Sequence, residues 1–277
     1  MKSLVRDVEH LPEAKEMKML YVYSEKDLAG IGIARKLKKM LGEELVRGFP
    51  QSVVEFEFLE EIGGYDGFIV LSKHRSESKI PSLTVHSTGN LLKQALLGGK
   101  GEELSVSFPR LNGFLLKKLK EKAESRNLLG EFKVSYEATH HGPSSLTKPI
   151  SFIEIGSDEE MWKREDLHEL VAEVIYEAHL LLTENKLPIC EKSIGFGGGH
   201  YSERHSELTF DRDVCFGHIA PKYALKEGIS EKVLLQMFDK NYEGIEAVYV
   251  EKKAGNRSFK DTIERFAQSK KVRVVYF

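Results

Sequence analysis

Short β-rich runs alternate with amphipathic helical segments along the chain, and this alternation constrains the fold more than any other feature. The run MLYVYS at 19–24 is followed directly by the helical pattern DLAGIGIARKLKKML at 27–41. Runs that are continuously apolar, such as GFIVLS at 67–72, are typical of strands covered on both faces. The pattern therefore predicts an α/β fold in which helices flank both faces of a mostly parallel or mixed central sheet.

Further strands and helices follow from the same periodicities. The predicted strands cover 19–24, 53–58, 67–72, 82–88, 133–139, 150–156, 207–216, 247–252 and 272–277. The predicted helices cover 27–41, 111–126, 157–185, 230–240 and 258–268. The Gly-rich piece at 96–104 is typical of an exposed loop. Because no Pro- or Ser-rich linker or repeat divides the chain, we expect residues 1–277 to form a single α/β domain.

The longest predicted helix, at 157–185, carries the clearest local signals. Ser157 is suited to be its N-cap, and Glu160 completes a capping box. His168 is expected to be solvated. The apolar stripe of this helix consists of Leu167, Leu170, Val171, Val174, Ile175 and Ala178.

Composition indicates a soluble protein with a real core, since 41% of the residues are hydrophobic. No apolar run approaches the roughly 20 residues that span a bilayer. The N-terminal stretch MKSLVRDVEHLPEAKEMK alternates charges and lacks the apolar core of a signal peptide. Two cysteines, Cys190 and Cys215, cannot build a disulfide framework, and we interpret them as packed side chains in a reducing compartment. We therefore expect a cytoplasmic protein.

The formal net charge of −2 predicts neither a nucleic-acid binder nor a membrane-surface protein from bulk charge alone. It leaves room for a local basic face.

Histidines carry the most information about function, because seven of the ten fall in loop-like segments that follow strands. These seven are His74, His86, His140, His141, His200, His205 and His218. Sites in open α/β sheets form beyond the carboxyl ends of the strands, so these segments are predicted to converge on one site. Neutral imidazole suits zinc, and a catalytic zinc usually keeps three protein ligands and one open position. The alternative is that each histidine forms ordinary loop hydrogen bonds.

The pair His140–His141 occurs in the stretch EATHHGPSSL. Neighbouring residues of an extended chain point to opposite sides, so the two rings are predicted to have separate roles. One would face the metal or the ester, and the other a supporting hydrogen bond, before Gly142-Pro143 turns the chain. Nearby carboxylates are suited to be a metal ligand, to orient a histidine or to act as a general base. These are Glu137, Glu154, Glu203, Asp211 and Asp213.

Three further polar segments are candidate substrate contacts. SKHRSES places Lys73, His74 and Arg75 among hydroxyls, and Lys and Arg bind phosphate or carboxylate. HSTGN offers the hydrogen-bonding side chains Ser87 and Asn90. GFGGGH, with Gly197, Gly198 and Gly199, can present backbone N–H groups to a phosphate or a developing oxyanion. The alternatives are a solvated charged turn, a capped turn and a flexible turn, respectively.

Taken together and in this order, LSKHRSES, LTVHSTGN, THHGP, SIGFGGGHYSERHSE and GHIAPKY resemble the archaeal and plant-type D-aminoacyl-tRNA deacylases, over nearly the whole chain. The resemblance implies a zinc-dependent enzyme that hydrolyses the ester between a D-amino acid and the 3′ end of tRNA. It also implies two zinc ions per chain and a fold similar to peptidyl-tRNA hydrolases and nucleoside phosphorylases. We expect the chain to act as a monomer on D-aminoacyl-tRNA, with no DNA or membrane partner.

Within this resemblance we assign roles by residue, as inferences of our own. The catalytic candidates are His140, His141, Glu137 and His86. The substrate-binding candidates are Lys73, His74, Arg75, Ser87, Asn90, Gly197, Gly198, Gly199 and Lys222. The metal candidates are His140, His200, His205 and His218. A basic surface that holds the tRNA end is expected from Lys73, Arg75, Lys148 and Lys222.

Two other classes of function stay open at this point. Fold analogy alone suggests a peptidyl-tRNA hydrolase or a nucleoside phosphorylase. A non-catalytic RNA-binding zinc protein is the other alternative. Structural zinc sites usually contain cysteine ligands, however, and this chain has only two cysteines.

Overall fold

The computed structural model describes residues 16–277, so the charged segment 1–15, which includes His10, lies outside the described residues. The strands are β1 Met19–Ser24, β2 Val46–Phe49, β3 Gly67–Arg75, β4 Ser82–His86, β5 Gly89–Asn90, β6 Glu103–Leu104, β7 Lys133–Tyr136, β8 Ile150–Ser157, β9 Glu191–Phe196, β10 Val214–Ala220, β11 Ala247–Val250 and β12 Arg273–Tyr276. The α-helices are α1 Leu28–Leu41, α2 Pro109–Ser125, α3 Glu159–Trp162, α4 Glu165–Thr183, α5 Glu203–Arg212, α6 Lys222–Glu227, α7 Glu231–Asp239 and α8 Arg257–Lys270. A 3-10 helical segment runs over Val53–Glu61.

The larger sheet has six strands in the order β2-β1-β3-β8-β4-β7. All of its neighbouring strands are parallel except β4 and β8, which are antiparallel. One face packs its apolar side chains against α1, α2 and α4 in the main core. The other face packs against the 3-10 segment through a smaller cluster that includes Phe56, Val70 and Phe152. The predicted α/β class with a mixed sheet is confirmed.

A second sheet, in the order β10-β9-β11-β12, is entirely parallel. Its strands are separate from the six-stranded sheet, so the strands predicted for one central sheet divide between two. One face packs on α6, α7 and α8 through Phe196, Val248 and Val250. The side chains of Phe216 and Tyr249, on the other face, join the main core.

Two predicted strands are wrong, each for a local reason. The alternating run 53–58 forms the 3-10 segment, whose buried residues Val53, Phe56 and Leu59 are three apart, one per turn of such a helix. The run 207–216 begins inside α5, and β10 starts only at Val214. Between the two, Asp213 adopts a left-handed conformation with φ 53°, which ends the helix.

The segment predicted as one helix at 157–185 is two helices, α3 and α4. The N-cap of α3 is Asp158, whose carboxylate accepts from the N–H groups of Glu160 and Met161, while Ser157 ends β8. The apolar stripe of α4 is buried as predicted. His168 is only 3% exposed, contrary to the expected solvated position, because its Nε2 lies 2.8 Å from the carbonyl oxygen of Trp162.

The two cysteines form a disulfide, which contradicts their interpretation as packed side chains in a reducing compartment. Strands β9 and β10 pair side by side from Glu191 and Val214 onward, and this brings the Cα atoms of Cys190 and Cys215 to 5.9 Å. Within residues 16–277, none of the helices has the length and apolarity needed to span a bilayer.

Candidate functional site

A cluster of histidines and carboxylates lies against the face of the six-stranded sheet that carries the 3-10 segment. Ser72 of β3 and Thr84 of β4 both pair with Glu154 of β8, so these residues lie side by side. Because β4 runs antiparallel to β8, its last residue, His86, is opposite Phe152 in the middle of the sheet. The site therefore extends over the sheet, whereas the sequence predicted it beyond the strand ends.

The segment that follows β7 brings the other histidines over this face. Glu137 donates its backbone N–H to Val85, and Ala138 donates to the carbonyl oxygen of His200, at 3.1 and 2.8 Å. A bridge between Glu137 and Tyr201 continues this contact. Residues 137–141 thus lie between the end of β4 and the loop that leaves the second sheet.

His86, His140 and His141 present three ring nitrogens to one point. Their Nδ1 atoms lie 3.1, 2.8 and 2.7 Å from backbone carbonyl oxygens. These acceptors belong to Ser87, Ala138 and Gly142, respectively. A carbonyl oxygen only accepts, so each ring carries its proton on Nδ1 and keeps a lone pair on Nε2. Potential ligand atoms of the three residues lie within 4.8 Å of one another, and backbone carbonyls commonly orient metal-binding imidazoles in this way.

The expectation that His140 and His141 point to opposite sides is wrong. Their ring centroids are 4.3 Å apart, and both rings contact His86, at 4.4 and 4.9 Å. His141 has φ 47°, so the chain leaves the extended conformation at this residue and the alternation of side chains no longer applies. Both rings face the same group.

These three histidines are neutral at pH 7. Burial lowers the pKa of His86 to about 4 and that of His141 to about 3. Burial, followed by the charges of His141 and His86, also holds the pKa of His140 well below its usual range. Among the described residues, His86 Nε2 has no hydrogen-bond partner. Neutral, converging nitrogen donors with one buried and unpaired atom fit a zinc ion.

Glu137 lies between two further imidazoles. Its Oε1 is 3.1 Å from Nδ1 of His74, and its Oε2 is 2.9 Å from Nε2 of His200. Burial alone would raise the pKa of Glu137, but the close imidazoles of His200 and His74 hold it well below the usual value. Burial likewise opposes protonation of the two histidines, and the carboxylate outweighs it, so the pKa of each is raised. His74, Glu137 and His200 form a second group of potential ligands.

Glu154 is the second buried carboxyl of the cluster. Its oxygens lie 3.7 Å from His74 Nδ1 and 3.7 Å from His86 Nε2. Burial and then the charge of Glu137 raise the pKa of Glu154 well above its usual range. The pKa values of the two neighbouring carboxyls are therefore shifted in opposite directions, which is the arrangement that separates a general base from a general acid.

A cavity of about 540 Å³ opens onto this cluster. Its lining includes Lys73, His74 and Arg75, three of the nine residues that the sequence assigned to substrate binding. The sequence missed part of the wall, namely Ser24, Lys26, Asp27, Ser52, Val53, Val54, Ser72 and Leu97. Asp27 is fixed as the N-cap of α1 and also accepts the backbone N–H of Lys73 at 2.9 Å. In the sequence, the only indication of a role for Asp27 was its position as a polar residue between a strand and a helix.

His205 and His218, two of the predicted metal ligands, do not join the cluster. His205 is on α5, buried between Phe216 and Phe277, with ring centroids at 5.0 and 5.3 Å. His218 uses Nε2 to donate to the backbone carbonyl oxygens of Ser105 and Lys240, at 3.1 and 3.2 Å. Neither belongs to a group of converging ligand atoms among the described residues. The structure does not support a shared ion with His140 and His200.

Ser87 and Asn90, predicted to contact substrate, are committed to internal hydrogen bonds. Ser87 donates its hydroxyl to the carbonyl oxygen of Gly217, and Asn90 donates its amide to those of Gly98 and Lys100. They support the loops around the site and are absent from the cavity lining.

The Gly197–Gly199 loop and two of the predicted basic residues lie outside the cavity wall. A Cβ on Gly197 would meet Glu251 within 3 Å, so this loop serves close packing. Glu251 also pairs with Lys222. Lys148 donates its ammonium to the carbonyl oxygen of Ile62, 2.6 Å away. Of the four residues predicted to form a basic surface, Lys73 and Arg75 line the cavity.

Comparison with known proteins gives consistent matches over most of the chain. A family model described as D-aminoacyl-tRNA deacylase matches residues 63–275. The D-aminoacyl-tRNA deacylase of Staphylothermus marinus is 36% identical over 277 residues, covering 92% of this chain and 98% of the relative. That of Desulfurococcus amylolyticus is 39% identical over 274 residues, with the same coverages of 92% and 98%.

Among solved structures, the crystal structure of a conserved protein of unknown function, AF0625, is similar with a TM-score of 0.84 and 27% identity. The match covers 95% of this chain and 96% of that one. The segment matched by the family model contains every residue of the histidine and carboxylate cluster.

Proposed function

The chain belongs to the D-aminoacyl-tRNA deacylase family, and we propose that its histidine and carboxylate cluster is where the ester of D-aminoacyl-tRNA is hydrolysed to free tRNA and D-amino acid. The observation that carries this proposal is the group of three neutral imidazoles beside two carboxyls whose pKa values are shifted in opposite directions, of which His140, His141 and Glu154 line the cavity. Ester hydrolysis needs an activated water, charge stabilisation at the carbonyl and a proton for the leaving oxygen.

We propose zinc as the cofactor, with two ions per chain. His86, His140 and His141 would hold one ion, and His74, Glu137 and His200 the other, because these are the two non-overlapping groups of potential ligands. Bound zinc supplies a Lewis acid that activates water near neutral pH and polarises a carbonyl. The three-histidine group leaves a position free for substrate or water, as catalytic zinc sites do.

In this proposal the two carboxyl groups, Glu137 and Glu154, carry out the acid–base chemistry. Glu137, which is ionised, accepts the proton of the attacking water. Glu137 then gives this proton to the ribose oxygen as the ester bond breaks, while His200, whose Nε2 lies 2.9 Å from Glu137 Oε2, would remain a ligand of the proposed ion. Glu154, whose raised pKa favours the protonated form, donates a hydrogen bond to the oxyanion.

Lys73 and Arg75 bind the phosphates next to the terminal ribose. Both line the cavity, and neither has a carboxylate within salt-bridge distance among residues 16–277. Lys73 rests on Trp162, with its Nζ 4.8 Å from the ring centroid, which positions its charge without neutralising it.

One chain supplies all of the residues in the proposed site, so we propose that the protein acts as a monomer. We also propose a cytoplasmic location, because its substrate is charged tRNA. The disulfide is compatible with this location in organisms such as Pyrococcus, since intracellular proteins of hyperthermophilic archaea are rich in disulfides.

The direct test is hydrolysis of D-tyrosyl-tRNA and L-tyrosyl-tRNA by zinc-loaded protein, before and after chelation. We expect release of D-tyrosine only, with loss of activity on chelation and recovery with zinc. Glu137→Gln should lower kcat at least about 100-fold, the size of an acid–base contribution. Glu203→Gln is the matched control, because Glu203 is exposed and pairs with Lys133 outside the cavity.

Stable D-tyrosyl-tRNA after long incubation with zinc-loaded protein would contradict the proposed activity. Full activity of metal-free protein would contradict the zinc mechanism alone. Metal-independent cleavage of N-blocked L-peptidyl-tRNA would instead favour the peptidyl-tRNA hydrolase alternative.

A further inference from the structure

Leu97 lines the cavity, and it and its neighbour Leu96 are among the most exposed apolar residues of the described chain. Leu96 is 84% exposed and Leu97 is 59% exposed. Single exposed leucines are common on protein surfaces, but two neighbours beside a polar cavity form a small apolar surface that water covers poorly. The sequence predicted only that 96–104 is an exposed loop.

The loop that carries these leucines is firmly anchored to the site. The carbonyl oxygen of Leu97 accepts the N–H of Gly142, 2.9 Å away and next to His141. Lys100 donates its backbone N–H to the hydroxyl of Ser144 at 2.8 Å. Gly98, with φ 71°, approaches Val54 so closely that a Cβ would lie 2.1 Å from its carbonyl oxygen. The fold therefore displays Leu96 and Leu97 at a fixed place.

The surroundings of the leucines are positively charged. Leu97 lines the same cavity as Lys26, Lys73 and Arg75. None of these three cations has a carboxylate within 4.0 Å in the part of the chain that the structure describes, whereas Lys222 and Lys133 are paired. Apolar surface next to unpaired cations suits single-stranded nucleic acid, because bases present flat apolar faces and the backbone presents phosphates.

We propose that Leu96 and Leu97 form the surface on which the unpaired 3′-terminal nucleotides of tRNA rest. Leu97 lies under the terminal base, Leu96 lies under the preceding base, and the phosphates between them face Arg75, Lys73 and Lys26. This inference rests on the proposed function and names the part of the substrate that the loop recognises. It assigns the leucines to RNA binding, separate from the histidines that act on the ester.

The test is the double variant Leu96→Ser/Leu97→Ser, with Ile189→Ser as the matched control. Ile189 is 91% exposed but precedes β9, away from the cavity. All three side chains are exposed, so the serine variants should fold as the wild type. We expect the double variant to lose about tenfold in kcat/KM for D-tyrosyl-tRNA, the effect of one weakened base contact, with unchanged zinc content. Ile189→Ser should leave kcat/KM unchanged.

A binding experiment separates this inference from the proposed activity. Fluorescence anisotropy compares uncharged tRNA with tRNA that lacks its terminal CCA. The wild type and Ile189→Ser should prefer the complete tRNA, and the double variant should lose that preference. This result would support the surface even if the wild type failed to hydrolyse the ester. Equal preference in all three proteins would overturn it, as would a dimer that dissociates only in the double variant while tRNA binding is unchanged.

Discussion

At the scale of single residues, the site depends on backbone conformations that side-chain patterns do not encode. The adjacent pair His140 and His141 predicted opposite directions, and the left-handed φ of His141 reverses that outcome. His205 follows a glycine-rich run, as His200 does, but it is one turn into a helix and faces phenylalanine rings. Sequence therefore identified the residue types of the site, including Glu137 and His86, and could not decide which histidines converge.

Zinc binding should distinguish these histidines. We expect His141→Ala to lower zinc affinity at least about 100-fold, because a ligand is lost from a group of three. His205→Leu removes an imidazole that has no hydrogen-bond partner among residues 16–277, and it should leave the zinc content unchanged. Zinc titration with a competing chromophoric chelator measures both. Loss of zinc in His205→Leu, with retention in His141→Ala, would restore the sequence-based assignment of His205.

Glu137 controls the protonation of its two neighbouring histidines. In metal-free protein, Glu137→Gln should lower the pKa of His74 and His200 to 6.5 or below, because burial would no longer be opposed by the carboxylate. NMR titration of the imidazole nitrogens measures this change. Unshifted values would mean that other groups set the pKa of these rings.

Glu137→Gln should also change the stability of the metal-free protein, in a direction that the two pKa shifts determine. In the wild type the folded pKa of both histidines is raised, so their contribution to the free energy of unfolding is fully present below about pH 6.5. It is lost as the pH rises through the folded values. Glu137→Gln should remove that contribution on the acidic side, which denaturant unfolding at a series of pH values would detect.

At the scale of elements, prediction succeeded where one periodicity was unambiguous. The apolar stripe from Leu167 to Ala178 is buried on α4, and GFIVLS is in β3, covered on both faces. Secondary-structure prediction failed for VVEFEF, because its sequence alternates with the two-residue period of a strand. In the structure every third residue is buried, which is the period of a 3-10 helix. Prediction also failed at Lys163 and Arg164, where the chain bends between two helices without a glycine or proline to signal it.

The packing of α1 against α4 depends on Gly32. A Cβ at this position would lie 2.1 to 2.4 Å from ring atoms of His168. Gly32→Ala gains about 1 kcal/mol of helix propensity but overpacks the contact, which costs about 1–3 kcal/mol. Since His168 is held by the carbonyl oxygen of Trp162, we expect net destabilisation of up to about 2 kcal/mol in denaturant unfolding.

A double variant identifies the cause of that loss. Gly32→Ala/His168→Ala should cost less than the sum of the two single variants, because removing the ring makes room for the new methyl group. Gly63→Ala is the control, since nothing lies within 4 Å of a Cβ there and its φ is not in the left-handed region. Additive losses would show that the two residues are not coupled.

At the scale of the whole molecule, the site joins the two sheets. Glu137, Ala138 and Thr139 follow β7 of the larger sheet, and their backbone contacts are with Tyr201, His200 and Ile219 around the smaller sheet. His74 comes from the larger sheet and His200 from the loop after β9. The sequence did not predict that the strands divide between two sheets, because residue patterns indicate strands but do not indicate which strands pair.

A metal held by His74, Glu137 and His200 would therefore stabilise both sheets together. Ligand binding to the folded state at 100 times its Kd adds about 2.7 kcal/mol, or roughly 5–10 °C in Tm for a chain of this size. Chelation should lower Tm by that amount, and His200→Ala should abolish the response to zinc at this group.

His179→Ala is the control, since His179 contacts Tyr21 far from the cluster and should retain the full response. Hydrogen exchange should locate the change at residues 137–141 and 197–205, on both sides of the contact. A zinc response confined to one sheet would show that the ion does not connect them.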